Sequence, residues 1–274
     1  MKTYDHNEKA GNQGDVVKHT ALLAAADSII SLLNGSFEYA DTFAGYAFNP
    51  LKPEGEWRNG IGTFKRFASK CYNKHINYWR SLWDTKDDLI DSEYPGSSLF
   101  IQKLCISRAK HFKAQLWDIS SRVVKELRIS YDNQDVTIYD SSASIADFLG
   151  RAPDLLLIDP PGLKSKSKKQ YPDITELIRF FNVVPNTILW FPMTAQGSGS
   201  PAPETKPSLY SRDMCLEYGL SVVSVRWSNG IRTCGCRLAY CLPNVAALAL
   251  RSTVNDVATI MKWNVIHDFI MDHV

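Results

Sequence analysis

Four residues, Asp159-Pro160-Pro161-Gly162, end the apolar run Leu155-Leu156-Leu157-Ile158. Each proline lacks an N–H and fixes its own φ, so a strand cannot continue through them. The Asp159 carboxylate and the Pro160 carbonyl are thereby held at the carboxyl edge of a strand, the side on which open α/β sheets bind ligands. A carboxylate beside a rigid carbonyl makes an acceptor pair for the two hydrogens of an exocyclic amino group. Methyl transfer to an aromatic amine requires that arrangement. The same four residues serve equally well as a plain strand-to-loop stop, so their surroundings must decide.

Three further acids stand in comparable places. The run Phe37–Phe43 carries Asp41-Thr42-Phe43 at its end and continues into Ala44-Gly45-Tyr46-Ala47, a small-residue turn that lets a ligand approach the backbone. Asp118 ends the run Lys113–Asp118, where an acid binds ribose hydroxyls or caps the next helix. Asp140-Ser141-Ser142 ends the run Val136–Asp140 and offers a carboxylate and hydroxyls to an adenine amino group, or again a helix cap. So many negative charges on one sheet edge are hostile to a phosphate-rich ligand. They suit a cationic ligand that carries a ribose, and S-adenosylmethionine is such a ligand.

A second cluster lies near the N-terminus: Tyr4, His6 and the run Ala10-Gly11-Asn12-Gln13-Gly14-Asp15-Val16-Val17-Lys18-His19. Gly11, Asn12 and Gly14 predict a turn, and Asp15 is expected to cap a long helix. Lys18 and His19 then fall in its first turns, where they either reach back over the sheet edge or stand as a solvated lysine and a packed histidine.

The elements that must position these residues alternate along the chain. Strands are expected at Phe37–Phe43, Lys113–Asp118, Val136–Asp140, Asp154–Asp159, Asn186–Pro192, Leu220–Trp227 and Leu238–Pro243. Helices are expected at Asp15–Leu33, Ser97–Lys110, Ser120–Arg128, Ser144–Leu149, Ile174–Asn182, Pro207–Tyr218 and Val254–Trp263. This alternation predicts an α/β fold with a mostly parallel, seven-stranded sheet covered on both faces. The last two strands, joined near Asn229-Gly230, are expected to pair antiparallel. Between Phe43 and Lys113 there is more chain than one crossover needs. Residues 49–91 are therefore read as an inserted helical subdomain, and residues 1–48 and 92–274 as the main domain. The insertion interleaves Arg58, Lys65, Arg66, Lys74 and Arg80 with Trp57, Tyr72, Tyr78, Trp79 and Trp83. That pattern suits phosphate contact and base stacking, or rings packed against the main domain.

Composition narrows the classes. The chain has 274 residues and a net charge of only +2, so any nucleic-acid surface must be a local patch. The segment from Met1 to Lys18 is polar and no apolar run is long enough to span a bilayer, which predicts a cytoplasmic protein without membrane contact. The six cysteines then read as reduced thiols. Cys234-Gly235-Cys236 lacks the two-residue spacer of common zinc pairs, and no metal site is expected.

The stretch from Tyr4 to His19, read as Y-x-H-x-x-x-A-G-N-x-x-D-V-x-K-H, resembles the N-terminal motif of the RlmJ family, bacterial methyltransferases acting on adenine N6 in 23S ribosomal RNA. The likeness continues through Asp41-Thr42-x-Ala44-Gly45, Tyr94-Pro95-Gly96-Ser97, Asp140, Asp159-Pro160-Pro161 and Leu189-Trp190-Phe191-Pro192. The resemblance implies a Rossmann-like S-adenosylmethionine-dependent methyltransferase fold with a small helical insertion, acting as a monomer on large-subunit ribosomal RNA. It implies Asp159 and Pro160 as catalytic residues, and Lys18, His19, Phe43, Ser97, Asp118, Asp140 and Ser141 as lining the S-adenosylmethionine site. Tyr4 would lie against the target base or order the N-terminal segment over it. Apart from the resemblance, the basic stretch after Gly162, with Lys164 and Lys166, either holds RNA phosphates beside the reactive edge or stands as a solvated loop.

The chain also departs from the family pattern. Phe43 replaces a His that contacts the methyl donor, Ala47 replaces a second glycine, and Asp118 replaces a Glu. Gly162 stands where the family motif reads Asp-Pro-Pro-Tyr and offers a ring to the target base. These departures keep two other readings open. One is an RNA-binding protein that retains the fold without turnover. The other is an amino-methyltransferase acting on DNA or a small molecule.

Overall fold

The computed structural model describes residues 9–68, 71–86, 89–90, 92–164, 171–194, 204–228 and 233–268. Tyr4 and Lys166 lie outside the described residues, as does the turn near Asn229-Gly230. In chain order the elements are α1 (Gln13–Ile30), β1 (Ser36–Asp41), β2 (Phe48–Pro50), α2 (Ile61–Phe67), α3 (Lys74–Ser81), β3 (Glu93–Pro95), α4 (Ser97–Ser107), β4 (His111–Asp118), α5 (Ser121–Ser130) and β5 (Val136–Asp140). There follow β6 (Leu155–Ile158), α6 (Ile174–Leu177), β7 (Thr187–Thr194), α7 (Lys206–Glu217), β8 (Ser221–Ser228), β9 (Thr233–Cys241), α8 (Asn244–Met261) and β10 (Asn264–Asp268).

Among the described residues, eight strands form one sheet in the order β5-β4-β1-β6-β7-β9-β8-β10. The pairs β1/β4, β4/β5, β1/β6 and β6/β7 are parallel, whereas β9 runs against both β7 and β8. The expected parallel sheet with an antiparallel final pair is therefore present, in a Rossmann-like α/β fold. The strand count differs. β10 adds an eighth strand, antiparallel to β8. Its sequence, Asn-Val-Ile-His-Asp, has no strong apolar run and every residue stays at least partly exposed, so hydrophobic patterning gave no sign of it. β2 and β3 form a separate two-stranded ribbon.

Successive side chains of β6 alternate between two cores, as strand geometry dictates. Leu155 and Leu157 join the cluster under α1, α4, α5 and α8. Leu156 and Ile158 join the cluster under α6 and α7. Helices thus cover both faces, and a β6 that is buried throughout carries Asp159 out to the sheet edge on a rigid stem.

Helix α1 is buried on nearly every side, since the sheet lies beneath it and α3, α4 and α8 lie around it. Its N-cap is Asn12, whose Oδ1 accepts the Asp15 N–H at 3.0 Å, and not Asp15 as the sequence reading had it. The Asp15 carboxylate instead turns to Gly11 and Lys18. Helix α8 begins ten residues before the expected Val254, at Asn244. The missed half carries Ala246, Ala247 and Leu250 at helical spacing on its buried face, a pattern present in the sequence. The expected helix at Ser144–Leu149 is only a 3-10 turn over Ile145–Phe148, and Ile174–Asn182 divides into α6 and a 3-10 turn.

In the 49–91 segment, Trp57, Trp79 and Trp83 are buried in the core that also holds α1. Lys65 and Arg80 both pair with Asp84, at 2.6 Å and 2.5 Å. Of the two expected uses of this basic-aromatic stretch, packing against the main domain is the one these tryptophans serve. The tryptophans pack, while Tyr72 and Phe67 stay exposed. Asn73 caps α3 and also donates to Asp256 on α8 at 2.7 Å, tying α3 to the last helix.

Candidate active site at the carboxyl edge of the sheet

The chain leaves β1 toward β4 and β5 on one side and later crosses to β6 on the other. The carboxyl ends of β1 and β6 therefore flank a topological switch point, the crevice where open α/β sheets take their ligands. Asp41, Asp118 and Asp140 close β1, β4 and β5, and Asp159 directly follows β6. Asp118 and Asp140 are register partners on neighbouring strands.

Asp159 is anchored from α1. Lys18 Nζ donates to Asp159 Oδ2 at 2.5 Å and contacts Asp15 Oδ1 at 2.8 Å, with Lys18 and Asp15 side chains almost wholly buried. Burial alone would lower the Lys18 pKa, but the charges of Asp15 and Asp159 outweigh it and raise the pKa above the ordinary lysine range. Lys18 is thus a permanent cation at neutral pH, and it fixes the Asp159 carboxylate in one orientation. The Lys18 ammonium also lies 5.6 Å from the centre of the Trp190 ring. Gly11 makes this geometry accessible: its φ of +73° turns the chain into α1, and its carbonyl accepts the Ile61 N–H at 2.9 Å, which docks α2 on the same turn.

Asp41 is completely buried. Its Oδ2 accepts from Ser97 Oγ at 2.5 Å and from Tyr39 OH at 2.9 Å, and its Oδ1 accepts the Phe43 N–H at 3.1 Å. Burial pushes its pKa up to about 6, partly offset by the Ser97 hydrogen bond, while the nearby Asp159 charge pushes in the same direction as burial. Asp118 braces the turn after β1: Oδ2 accepts the Gly45 N–H at 3.2 Å and Oδ1 the Ser120 N–H at 2.7 Å. At Gly45 a Cβ would meet no atom within 4 Å, so open space lies beside the backbone of the turn after β1.

The structure thus brings Lys18 to Asp159, Ser97 to Asp41 and Asp118 beside Asp140. His19 lies deeper, buried with its Nδ1 2.8 Å from Tyr94 OH and its ring against Phe100. Phe43 is partly buried and packs on the core beneath α6 and α7. Asp140, Ser141 and Lys164 are exposed. Sequence reasoning gave Asp41 a place at a strand end but no role, and named Trp190 only within a motif. It passed over Asp15 as a partner of Lys18 and Tyr171 altogether. For Asp15, the signal was the i, i+3 spacing to Lys18 on one helix face.

No family model matches the sequence, and no curated protein matches it. Among solved structures, protein LPL1258 of Legionella pneumophila, described as DUF519, superposes with a TM-score of 0.68 at 16% identity, covering 96% of this chain and 99% of that one. A putative class I S-adenosylmethionine-dependent methyltransferase of Listeria monocytogenes gives a TM-score of 0.46 at 10% identity, over 93% of this chain and 74% of that one. An rRNA methylase of Streptococcus thermophilus gives 0.38 at 8% identity, over 80% and 95%. The likeness to the Legionella protein is one of fold, spanning nearly the whole of both chains.

Proposed function

We propose that the protein is an S-adenosylmethionine-dependent methyltransferase of the RlmJ type, transferring a methyl group to adenine N6 in large-subunit ribosomal RNA. One observation carries the reading above the others: Asp159, next to the Pro160 carbonyl, is held by the buried Lys18 at the switch point of the sheet.

The donor set suits such a co-substrate. Asp41, Asp118 and Asp140 oppose a positive sulfonium while Lys18 already balances Asp159, Asp118 and Asp140 are paired neighbours suited to ribose and adenine edges, and the open space beside the Gly45 backbone admits a ligand closely. When bound, S-adenosylmethionine supplies an electrophilic methyl group on a cationic sulfur. The residues of this chain do the remaining work. Asp159 and the Pro160 carbonyl accept the two N–H hydrogens of the adenine amine, drawing its lone pair out of conjugation with the ring. Lys18 keeps its own proton and prevents Asp159 from turning away. Alignment and charge complementarity then supply most of the rate gain. The target base must be unpaired or turned out of its stack to reach the edge.

The test is to incubate the protein with labelled S-adenosylmethionine and unmodified ribosomal RNA, then map any modified base by digestion and mass spectrometry. A single N6-methyladenosine in the large-subunit RNA is expected. Label in DNA or a small amine alone contradicts the assigned substrate. Calorimetry with no detectable S-adenosylmethionine binding would instead favour a non-catalytic RNA-binding protein.

A further inference from the structure

Gly162 is buried, and a ring from further along the chain buries it. A Cβ built on Gly162 would lie 3.0 Å from both Cδ2 and Cε2 of Tyr171 and 3.5 Å from its Cζ. The space that a side chain at 162 would enter is therefore already taken by the Tyr171 ring. The backbone that carries the ring is anchored at two points. The Lys164 N–H donates to the Pro172 carbonyl at 2.9 Å, which closes the chain on either side of the segment between them. Asp173 then caps α6 with a reciprocal box to Glu176. Tyr171 nevertheless stays partly exposed, while Pro160 and Gly162 are buried. The ring thus lies against the residue two positions after Pro160, and an aromatic ring near a pair of amine acceptors is what a flat heteroaromatic base needs in order to stack while its amino group is held.

We infer that Tyr171 is the base-stacking residue of this site, delivered over Gly162 from the far side of the turn in place of a ring at position 162. The inference rests on the proposed reading of the site as one that takes an adenine base. It also gives Gly162 a physical reason: a Cβ there crowds the Tyr171 ring at 3.0 Å, and a bulkier side chain competes with it for the same space.

The test uses the full chain, labelled S-adenosylmethionine and an unmodified large-subunit ribosomal RNA transcript. Tyr171→Ala is expected to lower kcat/KM for the RNA about tenfold to a hundredfold, because one base stack is lost. Tyr171→Phe keeps the ring face and is expected within about twofold of wild type. Tyr171→Leu keeps apolar bulk without a π face, and is expected to melt like wild type yet be as slow as the alanine variant. The double variant Gly162→Tyr/Tyr171→Ala returns a ring to the same space and is expected to regain activity, whereas Gly162→Ala/Tyr171→Ala fills space without a ring and is not. Calorimetric affinity for S-adenosylmethionine is expected to stay unchanged in all five. Wild-type kcat/KM in Tyr171→Ala, or equal recovery by the two double variants, would overturn the inference alone. A wild-type protein that binds S-adenosylmethionine but modifies no RNA would overturn the underlying reading first.

Discussion

Lys18 and Asp159 are 141 residues apart in sequence and 2.5 Å apart in space, with Asp15 on the other side of the same ammonium. A single buried cation therefore ties the first turn of α1 to the end of β6, the two elements that bound the crevice. Of the two Asp159 oxygens, the ammonium engages Oδ2. The orientation of the acceptor is thus set before any substrate arrives, which is the condition for catalysis by alignment.

Removing that cation strands two carboxylates in a poorly hydrated site. Lys18→Met is expected to cost about 3 kcal/mol of stability, read from urea unfolding. Lys18→Met/Asp15→Asn should recover part of the loss, because one of the two uncompensated charges is gone. Methyl transfer should fall in both, since neither restores the hold on Asp159. A Lys18→Met variant as stable and as active as wild type would show that the pair is incidental.

Asp41 makes a prediction about pH. Its folded pKa of about 6 lies above its ordinary value of 3.8, so between those two values the folded state holds a proton that the unfolded state has lost. This group's contribution to stability therefore declines as pH rises from about 4 to 6 and is flat above. Two pK units correspond to about 3 kcal/mol. Asp41→Asn is expected to be more stable than wild type at pH 7 and to lose that margin toward pH 4, as followed by thermal melting across that range. A cationic methyl donor favours the ionised form, so its affinity for the wild-type protein should rise between pH 5 and 7, with proton release on binding at the lower end. Calorimetry in buffers of different ionisation enthalpy reads both.

On β9, Arg237 is fully buried and pairs with Glu204 at 2.5 Å, with Ser224 Oγ and the Ser208 carbonyl as further acceptors. Glu204→Ala leaves a buried guanidinium without its counter-charge. A loss of about 3–5 kcal/mol is expected in urea unfolding, with S-adenosylmethionine affinity unchanged below the melting transition. A loss of donor affinity in the folded variant would place this cluster in communication with the site.

How much of this was legible depended on how local the signal was. The parallel strands, the antiparallel final pair and the strand-end acids followed from apolar runs and their stops at Asp118, Asp140 and Asp159. Strand β10 escaped because an edge strand needs no buried face, and Asn264–Asp268 has none. The N-cap was misassigned because Asn12 and Asp15 are both competent caps, and only the pull of Lys18 on Asp15 decides between them. The tryptophans of the 49–91 segment could have stacked bases or packed. Their burial follows from the three-dimensional closeness of α1 and α8, which spacing within the segment cannot reveal. Tyr171 was invisible for the same reason: its relation to Gly162 depends on the chain folding back on itself, and a glycine in sequence shows only that a side chain is missing.

The central claim is that Asp159 accepts the amine of the target base at this edge. Single-turnover methyl transfer to unmodified large-subunit ribosomal RNA, compared between wild type and Asp159→Ala at saturating S-adenosylmethionine, tests it most directly. The account predicts a loss of at least about a hundredfold in the transfer rate, with donor affinity and melting temperature close to wild type. Transfer by the variant at the wild-type rate would contradict it.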